Sequence, residues 1–388
     1  MKYNFDQNPP RIGTNSMKWD VQGNQLPMWV ADMDFATAPC VTQALVKRAK
    51  HPIYGYTVVP DAWYKAIVAW WKRRHGYKIK AEWLQFCTGV VPAISCLVQR
   101  FSNVGDNIAV LTPAYDIFFH SVENFGRHVA ECKLTYKNGK YALDFDNLEQ
   151  ILANPLTSLL ILCNPHNPTG NVWTRDELAR IGNLAAKYGV VVISDEIHCD
   201  ITAPNVNYTP FAAASKVCED CSITCISASK AFNIAGVQSA AVFVPNPKLR
   251  KIAVRGLNSY EIAEPNCFAV DATVAAFTKG EDWLEELRLY VAENRQIACD
   301  FLQKNAPKLH LVQAEATYLL WIDCAQITSN TDDLTEFLRE NSGLILSTGS
   351  QYRGNGQYFL RMNLACSHDR LLDGLKRLVS GLQAYQKR

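Results

Sequence analysis

The sequence predicts an α/β protein built on a mostly parallel sheet, and two observations lead to this prediction. Four short apolar runs, each the length of a strand, lie between residues 108 and 226, and helical patterns lie between them. Strands that alternate with helices along a chain indicate βαβ units and a mostly parallel sheet. Polar or small residues follow each run, at the edge where open α/β sheets bind ligands.

The individual elements are predicted from where each pattern starts and stops. Thr174 and Glu177 form a capping box at the start of a helix over 174–188. Helical spacing over 281–305 predicts a helix long enough to bridge two domains. The predicted strands of the middle region are 108–111, 158–163, 190–193 and 223–226, and those of the last third lie near 309–312, 318–322 and 358–363.

The chain ends in a predicted amphipathic helix, which we interpret as part of the core. Its apolar stripe follows helical spacing and consists of Leu371, Leu375, Leu378 and Leu382. No internal repeat and no flexible linker interrupts the chain, so we expect closely packed domains.

Composition and charge exclude several classes of partner. The 388 residues include 39 basic and 37 acidic side chains that are mixed along the chain, without the basic block that nucleic-acid binding requires. The first residues lack the apolar stretch of a secretory signal, and the longest apolar runs are too short to cross a bilayer. We expect a soluble cytoplasmic protein without a nucleic-acid or membrane partner.

The thirteen cysteines do not show the regular spacing of a disulfide scaffold. Cys218, Cys221 and Cys225 follow CxxCxxxC spacing, which leaves a metal site as one interpretation. The other interpretation is a set of buried thiols in the core. We favour the core, because Cys225 lies in a predicted strand and no fourth ligand is nearby, and we predict no metal.

Three residues that follow predicted strands carry a recognisable chemistry. Lys230 lies in SASKAFN (227–233), Asp195 precedes it by 35 positions, and Asn167 lies in NPHNPTG (164–170). Alone, they would be a surface lysine, a helix N-cap and a turn residue. Together, a lysine that forms an imine, a carboxylate for a ring nitrogen and an amide for a ring oxygen are what pyridoxal 5′-phosphate (PLP) requires.

Further candidates surround these three. Gly89 precedes a helical pattern over 93–101, and backbone amides at a helix N-terminus bind phosphate. Tyr115 either stacks on a flat ring or is a core aromatic residue. His198 either reaches the ring oxygen or is an interior histidine. Arg361 is a lone charge in an apolar strand, which indicates a bound carboxylate or an ion pair.

These residues resemble the PLP enzymes of fold type I, in the aminotransferase class I/II superfamily, over essentially the whole chain. More narrowly, the chain is similar to the MalY/PatB group of carbon–sulfur lyases, the cystathionine β-lyases. The narrower resemblance rests on RIGTNSMKWD (11–20), MWVADMDF (28–35), YGY (54–56), TGVVP (88–92) and DEIH (195–198).

The resemblance implies a domain arrangement and a dimer. A large PLP-binding domain with a seven-stranded, mostly parallel sheet would span 51–284. The C-terminal segment, 285–388, would form a smaller α+β domain, to which the N-terminal segment 1–50 contributes. A homodimer with a shared active site is implied, because Tyr56 would reach the phosphate, and take part in catalysis, from the neighbouring subunit.

The resemblance also implies a role for each residue of the site. Lys230 would carry the cofactor and take part in catalysis, and Arg361 would bind the α-carboxylate of an amino-acid substrate. The remaining cofactor-binding residues would be Asp195 at the ring nitrogen, Asn167 at the ring oxygen, Tyr115 on the ring face, His198, and, at the phosphate, Ser227 with Gly89, Val90 and Val91.

Two positions depart from the common aminotransferase pattern. His198 stands where aminotransferases typically have tyrosine, and Gln238 stands where many have an arginine that binds phosphate. Both departures fit the lyase group, so the implied activity is release of thiol, pyruvate and ammonia from L-cystathionine or a related cysteine conjugate, a step of methionine biosynthesis. The alternatives are an aminotransferase and a PLP-fold protein with an added regulatory binding role.

Overall fold

A computed structural model of the chain describes residues 1–388 and contains thirteen α-helices and fifteen strands. The helices are α1 (Pro39–Ala49), α2 (Asp61–His75), α3 (Val90–Phe101), α4 (Asp116–Glu123), α5 (Phe145–Leu152), α6 (Arg175–Lys187), α7 (Phe211–Ala214), α8 (Lys216–Cys221), α9 (Pro247–Ser259), α10 (Ala269–Lys279), α11 (Glu281–Asn305), α12 (Thr331–Asn341) and α13 (His368–Tyr385). The strands are β1 (Leu26–Pro27), β2 (Leu84–Cys87), β3 (Asn107–Thr112), β4 (His128–Lys133), β5 (Thr135–Lys137), β6 (Lys140–Ala142), β7 (Thr157–Cys163), β8 (Val191–Asp195), β9 (Ser222–Ile226), β10 (Ala240–Phe243), β11 (His310–Leu311), β12 (Leu319–Asp323), β13 (Leu344–Ile345), β14 (Ser347–Thr348) and β15 (Phe359–Asn363).

A seven-stranded sheet forms the centre of the fold, with the strand order β2-β10-β9-β8-β7-β3-β4. Only β10 is antiparallel to its neighbours, and the strands from β9 to β4 are parallel. The predicted α/β class with a mostly parallel seven-stranded sheet is confirmed. The four strands predicted in the middle region are β3, β7, β8 and β9, each within two residues of its predicted bounds.

Both faces of this sheet are covered by helices, which explains why its strands are apolar at nearly every position. Along β7, Leu159 and Ile161 pack into a cluster with α3, α4 and α9. Leu160 and Leu162, which point the other way, pack into a cluster with α5 and α6. The sheet is therefore buried on both sides, and only its ends are available for a ligand.

The last third of the chain forms a four-stranded antiparallel sheet, in the order β11-β12-β15-β14. β1 pairs with β13, so the N-terminal segment is joined to this part of the molecule. Helix α11 has the predicted bounds, and the leucine stripe of α13 is buried as predicted. The domain boundaries at residues 50 and 284 stay predictions.

None of the helices is both long and apolar enough to cross a membrane.

The two predicted helix starts had different outcomes. At α6 the capping box is present, since Thr174 Oγ1 accepts from the Glu177 amide at 3.2 Å and the Glu177 side chain accepts from the Thr174 amide at 2.8 Å. The helix predicted over 93–101 begins three residues earlier, at Val90. Pro92 does not prevent this, because amide groups in a first turn have no partner inside the helix.

All thirteen cysteines are free thiols. Cys218 lies in α8, where its Sγ would be only 2.3 Å from a Cβ added at Gly182. Cys225 is fully buried in β9, and Cys221 is half-buried at the end of α8. These positions are those of packed core residues.

The close packing of Gly349 against Gly356, in the turn between β14 and β15, can be tested by substitution. A Cβ added at Gly349 would lie 2.1 Å from the Gly356 carbonyl oxygen, whereas one added at Gly236 would meet nothing within 4 Å. We expect Gly349→Ala to lower the free energy of unfolding by about 1–3 kcal/mol, the cost of overpacking. Thermal unfolding measures this, with Gly236→Ala as the control. Equal midpoints for the two variants would contradict the described turn.

Candidate functional site

The predicted site residues follow strands that end at one edge of the central sheet. Gly89 follows β2, Tyr115 follows β3, Asn167 follows β7, and Ser227 follows β9, while Asp195 is the last residue of β8. A cavity of about 440 Å³ lies at this edge. The predicted residues that line the cavity are Gly89, Val90, Val91, Tyr115, Asn167, Asp195, His198, Ser227, Lys230 and Arg361.

Tyr56 is the one predicted site residue that the structure does not bring to this cavity. It lies between α1 and α2 in a segment without regular structure, and its side chain is fully exposed. Ile53, Tyr54 and Val58 in the same segment are also exposed. A contribution of Tyr56 to a partner's site stays a prediction.

Lys230 presents a half-buried amine to the cavity. Its Nζ donates to the carbonyl oxygen of Ala31 at 2.7 Å. Burial, together with the positive charge of Arg361, lowers the pKa of Lys230 to about 8, although the carboxylates of Asp32 and Asp195 oppose this shift. The unprotonated, nucleophilic form is therefore available about two pH units below the range of an ordinary lysine.

Asp195 supplies the buried negative charge of the cavity. Burial raises the pKa of Asp195 to about 6, while a hydrogen bond from the Ile197 amide at 3.1 Å and the charge of Lys230 favour the carboxylate. At neutral pH the group is thus mostly ionised. A buried carboxylate without a full set of hydrogen bonds is suited to accept one from a protonated ring nitrogen.

His198 is a neutral imidazole at the edge of the cavity. Burial and then the charges of Lys230 and Arg361 lower the pKa of His198 to about 3. Its ring makes an edge contact with Tyr318, with the centroids 6.3 Å apart. His198 can therefore form a hydrogen bond in this cavity, but it adds no charge at neutral pH.

Arg361 lies on β15 and is held by the N-terminal segment and by the loop after β7. One Nη donates to Asn167 Oδ1 at 3.3 Å, and the other donates to the Trp29 carbonyl oxygen at 2.8 Å. The guanidinium lies 5.1 Å from the ring centre of Tyr352. Its Nε has no partner. A fixed guanidinium with unused donor capacity is suited to a carboxylate.

Backbone amides and hydroxyl groups form another part of the cavity wall. The first backbone acceptor used in α3 is the Gly89 carbonyl, which binds the Ala93 amide, so the amides of Val90 and Val91 have no partner inside the helix. Ser227 Oγ donates to the Ser239 carbonyl at 2.7 Å. Such amides at a helix N-terminus bind phosphate.

Sequence reasoning missed the part that residues 29–33 play in this site. Their backbone carbonyls bind three side chains of the cavity region: Ala31 accepts from Lys230, Trp29 from Arg361, and Val30 from Asn363 at 2.6 Å. No side-chain pattern signals this role. The segment stands out in the sequence only because its residues resemble those of a known family.

Comparison with known proteins defines the family. A sequence profile described as "Aminotransferase class I and II" matches residues 24–378. The chain belongs to this family, which confirms the resemblance to the aminotransferase class I/II superfamily. Among solved structures, the PLP-bound C–S lyase from Staphylococcus hominis superposes with a TM-score of 0.92 at 34% identity, over 98% of each chain.

Two curated relatives place the chain more narrowly. It is 40% identical to cystathionine beta-lyase PatB of Bacillus subtilis (strain 168), over 98% of this chain and 100% of the relative. It is 31% identical to protein MalY of Escherichia coli (strain K12), over 98% and 99% of the two chains. The predicted similarity to the MalY/PatB group is confirmed.

The lowered pKa of Lys230 predicts a pH-dependent stability. The pKa of Lys230 is about 8 in the folded protein and about 10.5 in the unfolded chain. Below pH 8 the lysine therefore lowers the free energy of unfolding by its full amount, and this destabilisation decreases as the pH rises to 10.5. We expect the Lys230→Met variant to unfold at a higher temperature than the wild type at pH 7, when both proteins are free of bound small molecules. The difference should narrow between pH 8 and pH 10. A constant difference, or a more stable wild type, would contradict the shift.

Proposed function

We propose that the chain is a PLP-dependent carbon–sulfur lyase that breaks the Cβ–S bond of L-cystathionine or a related S-substituted cysteine. The products would be a thiol such as homocysteine, pyruvate and ammonia. One observation carries the proposal: the amine of Lys230, the carboxylate of Asp195 and the guanidinium of Arg361 line a single cavity. The similarity to a relative named cystathionine beta-lyase supports the choice of reaction.

The residues of the cavity fit PLP at three points. Lys230 offers an amine with a pKa of about 8, which is suited to a covalent bond with an aldehyde. Asp195 is mostly ionised at neutral pH and would keep a ring nitrogen protonated. The amides of Val90 and Val91 would bind the phosphate, with Ser227 beside them.

The side chains between these points would orient the ring. In this proposal Tyr115 would stack on the ring face, Asn167 would bind the ring oxygen, and His198 would assist it. Gln238 also lines the cavity, at the position where an arginine is common in aminotransferases. With glutamine at this position, the phosphate would be bound by uncharged donors only.

Bound PLP supplies an electron sink for negative charge that develops at the substrate Cα. Arg361 binds the α-carboxylate and so fixes the orientation of the amino acid. Lys230 then removes the α-proton. The electron pair of that bond forms the Cα–Cβ double bond as sulfur leaves Cβ with its own bonding pair. Water hydrolyses the remaining enamine to pyruvate and ammonium.

An aminotransferase is the second candidate, because it would use the same lysine, aspartate and arginine. The two reactions differ in where the proton returns: a transaminase places it on the cofactor carbon and keeps the substrate sulfur attached. An added regulatory role would leave this chemistry in place. Surface variants that lose a protein partner but keep lyase activity would identify it.

We also propose that the protein works as a homodimer in the cytoplasm. The fully exposed Tyr56 and its apolar neighbours Ile53 and Val58 form a surface that a second copy would cover. Thirteen free thiols are typical of a reducing compartment.

Product analysis tests the proposed reaction. Incubation with L-cystathionine and PLP, without a keto acid, should release pyruvate and free thiol continuously and in equal amounts. Lys230→Ala should lower this rate by at least about 10³-fold, because it removes the base. Accumulation of pyridoxamine phosphate instead, with turnover only after a keto acid is added, would make the protein an aminotransferase. A fully active Lys230→Ala variant would refute the role of the lysine.

A further inference from the structure

Four charged side chains line the cavity, and three of them have a part in the proposed reaction. Those three are Lys230, Asp195 and Arg361. The fourth is Asp116, the first residue of α4, whose side chain is half-buried in the cavity wall. A carboxylate in the wall of a substrate cavity that has no protein partner is left to solvent or to a bound ligand.

Asp116 has no protein partner. No side-chain hydrogen bond and no ion pair involves it anywhere in the chain. The nearby loop after β14 carries Arg353, but that guanidinium pairs with Glu123 at 2.7 Å. Arg361 is bound to Asn167 and to the carbonyl oxygen of Trp29. The charge of Asp116 is therefore free within the cavity.

The position of Asp116 is fixed close to the end of the cavity that holds Arg361. The amide of Ala114 donates to the Tyr352 carbonyl oxygen at 2.8 Å, so the start of α4 is held against the turn that carries Tyr352. Burial raises the pKa of Tyr115 to about 12, and the charge of Asp116 adds to that shift. Burial likewise raises the pKa of Tyr352, and Asp116 contributes there as well.

A helix-stabilising role alone would not need this location. Acidic residues in a first turn interact favourably with the helix dipole. Asp146 provides that interaction in α5, a helix of the same eight-residue length, with an exposed side chain. Asp116 differs from Asp146 because it lines the substrate cavity.

We infer that Asp116 determines substrate specificity by pairing with a positive charge on the group beyond the substrate sulfur. The inference rests on the proposed lyase function. Arg361 would hold the α-carboxylate, and Asp116 would bind an ammonium group at the far end of the substrate. Cysteine conjugates with an amine beyond sulfur are favoured, which includes the amino-acid end of cystathionine. Conjugates whose far end is only anionic are repelled.

Two substrates of nearly equal size isolate this charge. S-(2-aminoethyl)-L-cysteine and S-propyl-L-cysteine differ mainly in an ammonium group that replaces a methyl group. We expect the wild-type holoenzyme to favour the aminoethyl compound by about tenfold in kcat/KM, as a charge-assisted hydrogen bond in a partly solvated site predicts. Asp116→Asn should bring the ratio of the two values close to one, and Asp116→Glu should retain a preference.

The matched control is Asp146→Asn, which removes a first-turn carboxylate of the other eight-residue helix and should keep the wild-type ratio. Equal kcat/KM values for the two compounds in the wild type, or an unchanged ratio in Asp116→Asn, would overturn the role of Asp116. Titration of the absorbance of bound PLP gives dissociation constants for the same two compounds. Their ratio tests the preference for the ammonium group independently of turnover. If neither compound releases pyruvate, the proposed lyase reaction fails, and the ratio of dissociation constants still tests Asp116.

Discussion

The burial of two positive charges in one cavity is the constraint on which the rest of this site depends. The positive charges of Lys230 and Arg361 repel each other, and both side chains lose hydration in the cavity. The lysine responds with a lowered pKa, which makes it a nucleophile. The arginine is held by the side-chain amide of Asn167 and by the backbone carbonyl oxygen of Trp29. Arg361 pairs with no carboxylate of the protein, so its charge is available to the substrate carboxylate that the proposed reaction brings.

The N-terminal segment is what makes this burial possible. Its carbonyls bind both cations, so the segment itself must be fixed. Asp34 fixes it: its carboxylate lies 3.1 Å from Lys18, 2.8 Å from Arg11 and 3.0 Å from Arg370. Burial opposes the ionised form, but the positive charges of Lys18 and Arg370 and a hydrogen bond from Trp19 hold the pKa of Asp34 below its usual value. A buried ionic cluster of this kind specifies one position for the segment.

How much the sequence could predict follows from what its patterns encode. Continuous apolar runs predicted the parallel strands, because this sheet is buried on both faces, and helical spacing of apolar residues predicted α11. Motifs and the family resemblance predicted ten residues that line one cavity: nine lie at or just after the ends of strands of the central sheet, and Arg361 lies within β15. The carbonyls of residues 29–33 could not be predicted from side chains. The place of Tyr56 depends on a second copy of the chain, and the unpaired charge of Asp116 appears only when its surroundings are known.

Reduction of the purified holoprotein with borohydride, followed by peptide mass spectrometry, tests the central claim most directly. Lys230 is the only lysine that lines the cavity, and its amine has the lowered pKa that covalent attachment needs. We expect a single pyridoxyl-phosphate adduct, on the peptide that contains Lys230. An adduct on another lysine, or an active protein without any adduct, would contradict the assignment of this cavity as the cofactor site.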